Sequence, residues 1–384
     1  MSDDRLFTRP FVLCFIANLL QGIAFNLFLH FPGFLKRVGA DEVGIGWIVS
    51  LTALASIAVR PAVGRIMDLR GRRGVILAGN LLNIVAILGY LGLTELGPSL
   101  YLVRILHGLA EALLFTALFT YAADQVPARR LTYGLSIFGV SGMLPMSLGG
   151  LLGDAILARG DYDLLFLTAL AFAIAAFLSS LPLRDAPRHS TGDQEEPRGF
   201  LAAVVQRDLV PLWWMATIFS VALAAMFTFI KTFVMEGGAG TVGGFFSAYT
   251  AAAILVRVFL GWLPDRVGPK RVLFPALVAQ ATGFLLLARA DSATAVTLAG
   301  MLCGAGHGFA FPILFGLVVS RARESERGSA MAVYTGLFDV GILVGGPSLG
   351  YVIKSSGYPA MFGSAGGLVA LGTLVFAIWD RRRS

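Results

Sequence analysis

Apolar residues fall in twelve long stretches, 11–35, 43–66, 75–96, 98–122, 133–157, 163–183, 209–234, 242–264, 271–290, 293–319, 328–352 and 357–379. Each approaches or exceeds the ~20 residues that an α-helix needs to cross ~30 Å of hydrocarbon. The apolar positions run on without alternation, so helices are predicted rather than barrel strands, and a helix satisfies its own backbone hydrogen bonds in lipid. Polar positions collect between the runs. The longest such interruption, 184–208, is rich in charge and carries Pro187, Pro197 and Gly199, which predicts a linker too short and too polar to fold alone. The chain therefore divides into an N-terminal bundle over 1–183, a linker over 184–208 and a C-terminal bundle over 209–384.

The two halves repeat each other. Arg60, Gly64, Asp68 and Gly71 return as Arg257, Gly261, Asp265 and Gly268, all at an offset of 197 residues. Each set sits between two apolar runs. A repeat at half the chain length predicts two copies of one six-helix unit, and in membrane chains such halves face a shared pathway.

Composition agrees with a lipid solvent. The 384 residues are 57% hydrophobic and 14% charged, where a soluble domain carries about 25% charged residues. The formal charge of +7 is distributed as a membrane protein distributes it and is not a nucleic-acid footprint. With the N-terminus inside, one side holds Arg5, Arg9, Arg65, Arg70, Arg72, Arg73, Arg129, Arg130, Arg266, Lys270, Arg271, Arg321, Arg323, Arg327, Arg381, Arg382 and Arg383, with the linker arginines Arg184, Arg188, Arg198 and Arg207, while the other holds only Lys36, Arg37, Arg159, Arg289 and Lys354. The excess of Lys and Arg predicts both termini on the cytoplasmic side of an inner membrane. Residues 1–9 lead into an apolar run too long for a signal h-region, so the first run is expected to be a retained span. Cys14 and Cys303 both lie inside apolar runs and imply no disulfide framework.

Twelve runs, a central linker and the loop Gly64-Arg65-Ile66-Met67-Asp68-Leu69-Arg70-Gly71-Arg72-Arg73 resemble the major facilitator superfamily. The resemblance covers nearly the whole chain and implies the fold of that family, with both termini inside and a monomer. Arg104-Ile105-Leu106-His107-Gly108 is similar to the family's Arg-x-x-Gln-Gly signature, with His107 in place of glutamine. Gly139, Gly142, Pro145, Gly149, Gly150 and Gly153 are similar to the signature of proton-driven exporters, including the arabinose-efflux and drug:proton antiporter branches. Gly336, Gly341, Gly345, Gly346, Pro347 and Gly350 match it better, since Pro145 does not directly follow a glycine. Small residues at this spacing also let helix backbones approach closely in lipid, with no bearing on direction.

The resemblance assigns a gate to Gly64, Asp68, Gly71, Arg72, Arg73 and Asp124, and to Gly261, Asp265 and Gly268 in the second copy. It implies that Asp68 docks against the start of span eleven and that Arg72 reaches Asp124. Pro269 replaces the counterpart of Arg72, and Arg321 stands at the equivalent of Asp124, so the second loop is expected to lack this pair.

Charges inside a span cost ~2.5–3.5 kcal/mol at midplane on insertion scales, so each invites a functional reading. Arg104, His107 and Glu111 share one face of span four through spacings of three and four. Glu111 is the leading proton carrier, with Arg104 and His107 as partners and Asp339 as a second protonation site; a static network ordering the half is the alternative. Asn18, Gln21, Met226, Phe227, His307 and Phe311 are the expected substrate contacts, offering amides and an adaptable aromatic wall. The amides serve equally as interhelical glue.

These residues predict a secondary active transporter for a small organic molecule, working by alternating access and driven by protons in the export direction. A transition-metal or metal-chelate carrier using His107, His307 and Cys303 is the alternative. No Gly-x4-Gly-Lys-Ser/Thr loop occurs, so ATP is not implied. No cofactor is implied, no nucleophile–base constellation points to an enzyme, and no nucleic-acid partner is expected.

Overall fold

The structure, a computed structural model, describes residues 6–127, 131–185, 203–237, 239–323 and 326–380. Most of the linker expected over 184–208 therefore lies outside the described residues. Helices α1 (Arg9–Asn26), α2 (Phe31–Arg37), α3 (Glu42–Arg70), α4 (Arg72–Tyr90), α5 (Pro98–Gln125), α6 (Leu131–Leu157) and α7 (Tyr162–Ser180) come first. After the linker follow α8 (Val210–Gly237), α9 (Val242–Leu260), α10 (Leu263–Val267), α11 (Pro269–Leu287), α12 (Ala293–Arg321) and α13 (Arg327–Asp380). No strand occurs among the described residues.

Local chemistry sets the helix starts. Thr8, Asp161, Thr241 and Ser292 lie in extended backbone before α1, α7, α9 and α12, and each side-chain oxygen accepts from an orphan N–H of the first turn. A short 3₁₀ turn, Leu27–His30, joins α1 to α2, so both form one apolar span. Helix α13 has 54 residues, far beyond one crossing, and Gly357 breaks it with φ +79°. The break falls at the first residue of the run 357–379, just after the run 328–352, so α13 is two spans, and eleven apolar helical segments correspond to twelve crossings.

The chain forms two compact units. The first comprises 1–40 and 51–188, the second 41–50 and 189–384. In the first, α1 packs on α6 and α7, and α4 packs on α5 and α7. In the second, α8 lies along α13, and α12 lies between α9 and α11. The opening turns of α3 thus belong to the second unit. There Gly46 lies against the backbone of Gly346, where an added Cβ would sit 2.3 Å from the Gly346 oxygen, and Gly350 lies equally close to Glu42. Ser50 Oγ donates to Ile342 O at 3.1 Å, and Lys354 Nζ lies 2.8 Å from Asp41 Oδ2. Gly341 and Gly345 approach Ser220, Val221 and Ala224 of α8 instead. The glycine-rich stretch of α13 is therefore a two-sided packing surface.

Candidate functional site

The loop between α3 and α4 is held by backbone geometry and charge. Gly71 has φ +90°, and a Cβ there would lie 2.3 Å from Asp185 Oδ2. Asp185 Oδ1 accepts the N–H groups of Arg72 and Arg73 at 2.8 and 2.9 Å, neutralising the positive start of α4. Arg73 turns back to the end of α7, with Nε donating to Leu183 O at 2.6 Å and Nη2 to Leu181 O at 3.0 Å. Arg72 Nε lies 3.0 Å from Asp124 Oδ2, an ionic contact in which the N–H is not aligned for a hydrogen bond. Gly64 and Asp68 lie on α3, but the surroundings of both fall outside what the structure describes.

The second loop keeps the backbone and exchanges the charges. Gly268 has φ +99°, matching Gly71, and Asp265 is exposed on α10. Gly261 caps α9. The missing Arg72–Asp124 pair is replaced by a cluster on Asp380, whose side chain is 2% exposed. Arg321 grips it through two parallel bonds of 2.7 and 2.8 Å, and Lys270 Nζ adds a contact of 2.8 Å. Asp380 and Asp185 lie just past apolar runs and have no partner at the 197-residue offset, so the repeat gave no signal for either.

Inside the first unit, the polar residues of span four differ in burial. Arg104 and His107 are buried, at 4% and 1% exposure. His107 Nδ1 and Tyr90 Oη share a hydrogen bond of 3.1 Å, and Arg104 Nη1 donates to the same phenol at 3.3 Å. Arg104 also lies 4.8 Å over the Phe31 ring, a favourable cation–π contact. Phe25 and Phe28 present edges to the His107 ring, leaving its Nε2 buried without a hydrogen bond. Glu111, one to two turns further on and midway along α5, is half-buried. Tyr90 gives no pattern in sequence because it lies on a different helix from its partners.

The expected substrate contacts are divided between the two units. Gln21 accepts from Asn83 Nδ2 at 3.0 Å within the first unit, and Asn18 donates to Ser141 Oγ at 2.8 Å, so both amides bridge helices. Met226 is fully buried, whereas Phe227 is half-buried and stacks on Phe246 with centroids 5.7 Å apart. His307 and Phe311 are half-buried neighbours, with ring centroids 5.7 Å apart. Tyr249 Oη bonds His307 Nδ1, and Phe219, Phe338 and Tyr334 complete an aromatic cluster drawn from α8, α9, α12 and α13. Asp339 is half-buried beside it in sequence. No group of three or more His, Cys, Asp or Glu side chains suited to a metal occurs among the described residues. Cys303 is buried, with its sulfur 3.9 Å from Gln280 O.

The chain has relatives among transporters. It is 27% identical to the MFS-type transporter YhhS of Shigella flexneri over 353 residues, 90% of this chain and 85% of that protein. It is 26% identical to YhhS of Escherichia coli K12 over the same length. Among solved structures, a point mutant of the nucleoside transporter NupG matches with a TM-score of 0.82 at 14% identity, covering 97% of this chain and all of that one. The human organic anion transporter MFSD10 (TETRAN) matches with a TM-score of 0.70 at 18% identity, covering 96% and 99%. These two likenesses concern the fold. The family model of the Major Facilitator Superfamily matches residues 11–245 and 237–384, and with twelve crossings in two repeated halves the chain belongs to that superfamily of transporters.

Proposed function

We propose that this transporter exports a small organic molecule against its gradient by admitting protons in exchange, with both termini on the cytoplasmic side of the inner membrane. The observation that carries the reading is the half-buried carboxylate of Glu111, midway along an apolar helix and on the face that bears the buried Arg104. A carboxylate there is disfavoured as an ion by lipid and favoured by a neighbouring cation, so a helix movement that changes either influence moves a proton. Asp339 is the second carboxylate available for this role. His107, buried against Tyr90 and two phenylalanines, orients the Arg104 side of the helix. The glycine-dependent turns at Gly71 and Gly268, with the salt contacts of Arg72 and Lys270, hold the inward loops while the pathway faces outward.

Substrate selection is assigned, in the second unit, to the half-exposed ring surfaces of Phe227, His307 and Phe311, with Met226 packed behind them. In the first unit it is assigned to Asn18, with Gln21 as a packing residue. The transported class is organic, in line with the nucleoside and organic anion transporters that share the fold. The metal alternative finds little support, because no three His, Cys, Asp or Glu side chains among the described residues come together as a metal would need. The test uses purified protein in proteoliposomes with a pH dye inside and a panel of labelled nucleosides and aromatic anions outside. Uphill accumulation of a panel member under an imposed pH gradient, abolished by a protonophore, is the expected result. Accumulation indifferent to the gradient refutes proton coupling.

A further inference from the structure

Arg257 has chemistry that packing does not use. It lies in α9, within an apolar span, three residues from its end. A snorkelling arginine would extend past the helix toward water. Arg257 instead turns inward, and its Nε donates to Gly308 O at 3.0 Å, near the midpoint of α12. Gly308 permits this approach, since its Cα side faces the backbone of Ala253 and the side chain of Val256. Gly308 O is the only hydrogen-bond acceptor of Arg257 among the described residues, and no carboxylate there lies within ion-pair distance of it. The terminal nitrogens, which form the two-pronged donor that matches an anion, remain uncommitted.

The residue before the arginine's anchor leads to the aromatic cluster. His307 adjoins Gly308, and Tyr249 lies two turns before Arg257 on α9. The phenol of Tyr249 meets His307 Nδ1. With the phenol donating, the imidazole carries its proton on Nε2, and Nε2 has no partner among the described residues. The rings of Phe311 and Phe338, centroids 5.1 Å apart and both half-buried, extend the wall beyond His307. Helix α8 barely touches α9 and α12 through its backbone, and the large rings of Phe219, Tyr249 and His307 fill the interval. One half of the molecule thus presents an unneutralised cation, a ring N–H and flat apolar surfaces together.

We propose that Arg257, His307, Phe311 and Phe338 form a binding site for a singly charged aromatic anion, with Arg257 taking the anionic group and the rings taking the aromatic body. The anion neutralises a guanidinium that has no carboxylate partner among the described residues, and the rings supply contact that a small inorganic anion would not use. The assignment names the substrate class for the transporter reading above and rests on it only for the use made of the site.

Binding to the purified full chain tests it, with benzenesulfonate as the aromatic anion, benzenesulfonamide as the neutral ring, methanesulfonate as the charge without a ring and uridine as a neutral heteroaromatic. Benzenesulfonate is expected to raise the melting temperature saturably and the other three much less. Arg257→Gln is expected to raise its Kd about tenfold or more, the loss of a charge-assisted pair, and Arg257→Lys to raise it less. Phe311→Leu keeps the charge and is expected to weaken benzenesulfonate while leaving methanesulfonate unchanged, a readout that survives if Arg257→Gln fails to fold. Equal binding of the sulfonamide, preference for uridine, or an unchanged Kd in Arg257→Lys and Phe311→Leu overturns the assignment. Benzenesulfonate that binds through Arg257 but shows no gradient-driven flux leaves the site standing and counts against proton-coupled export of this class. Driven flux unaffected at Arg257 does the reverse.

Discussion

Arg321 and Asp380 meet end-on, with Nη1 and Nη2 each donating to a separate carboxylate oxygen at 2.7 and 2.8 Å. Asp124, at the equivalent of Arg321 in the first repeat, makes a single misaligned contact with Arg72 and has a side chain 37% exposed. Bidentate geometry in a shielded place is stronger than an exposed pair. Asp380→Asn is therefore expected to destabilise the protein by about 2 kcal/mol, because two cations lose their counterion. Asp124→Asn is expected to change stability by at most about 0.5 kcal/mol. Chemical unfolding in mild detergent measures both, and equal losses would contradict the ranking.

Gly71 and Gly268 share a backbone conformation but not surroundings. A side chain at either meets positive φ, which costs roughly 1–2 kcal/mol. At Gly71 the new Cβ also collides with Asp185, whereas at Gly268 nothing lies within 4 Å. Gly71→Ala is expected to lose more stability than Gly268→Ala, and Asp185→Ala should narrow the difference. Thermal unfolding of the three single variants and the Gly71→Ala, Asp185→Ala double variant checks this.

Asp41 and Lys354 pair at the end of the glycine contact between α3 and α13. The hydrogen bond from Lys354, with that from Gly44 N–H, holds the Asp41 carboxyl below its usual range. A depressed carboxyl contributes fully above its unfolded pKa of about 3.9, and that contribution is lost as pH falls through the folded value. Neutral-pH stability is thus expected to change little in Lys354→Gln, because both side chains are well exposed. Gly46→Ala is expected to do far more, since its Cβ meets Gly346 backbone at 2.3 Å. Thermal unfolding of the two single variants should show a large drop for Gly46→Ala and little change for Lys354→Gln.

Much of this architecture is legible in sequence because lipid imposes it. Twelve apolar runs, the charge bias and the repeat of Gly71 as Gly268 follow from backbone and solvent constraints that act locally. Partnerships between helices are not local. Arg104 and His107 share a helix face by spacing, but Tyr90, which binds both, stands on α4. The amides of Asn18 and Gln21 stand out in sequence, but the partners they meet on other helices, Ser141 and Asn83, do not. Asp185 and Asp380 escape notice because neither recurs as an acid at the 197-residue offset. The inward turn of Arg257 is equally hidden in the sequence, because it depends on Gly308, far away in the chain.

Glu111→Gln in proteoliposomes tests the central claim most directly, with exchange and driven uptake of one labelled substrate measured side by side. Removing the titratable group while keeping its shape should leave exchange between substrate pools running and abolish accumulation under a pH gradient. Gradient-driven accumulation at the parent rate in Glu111→Gln would contradict the account.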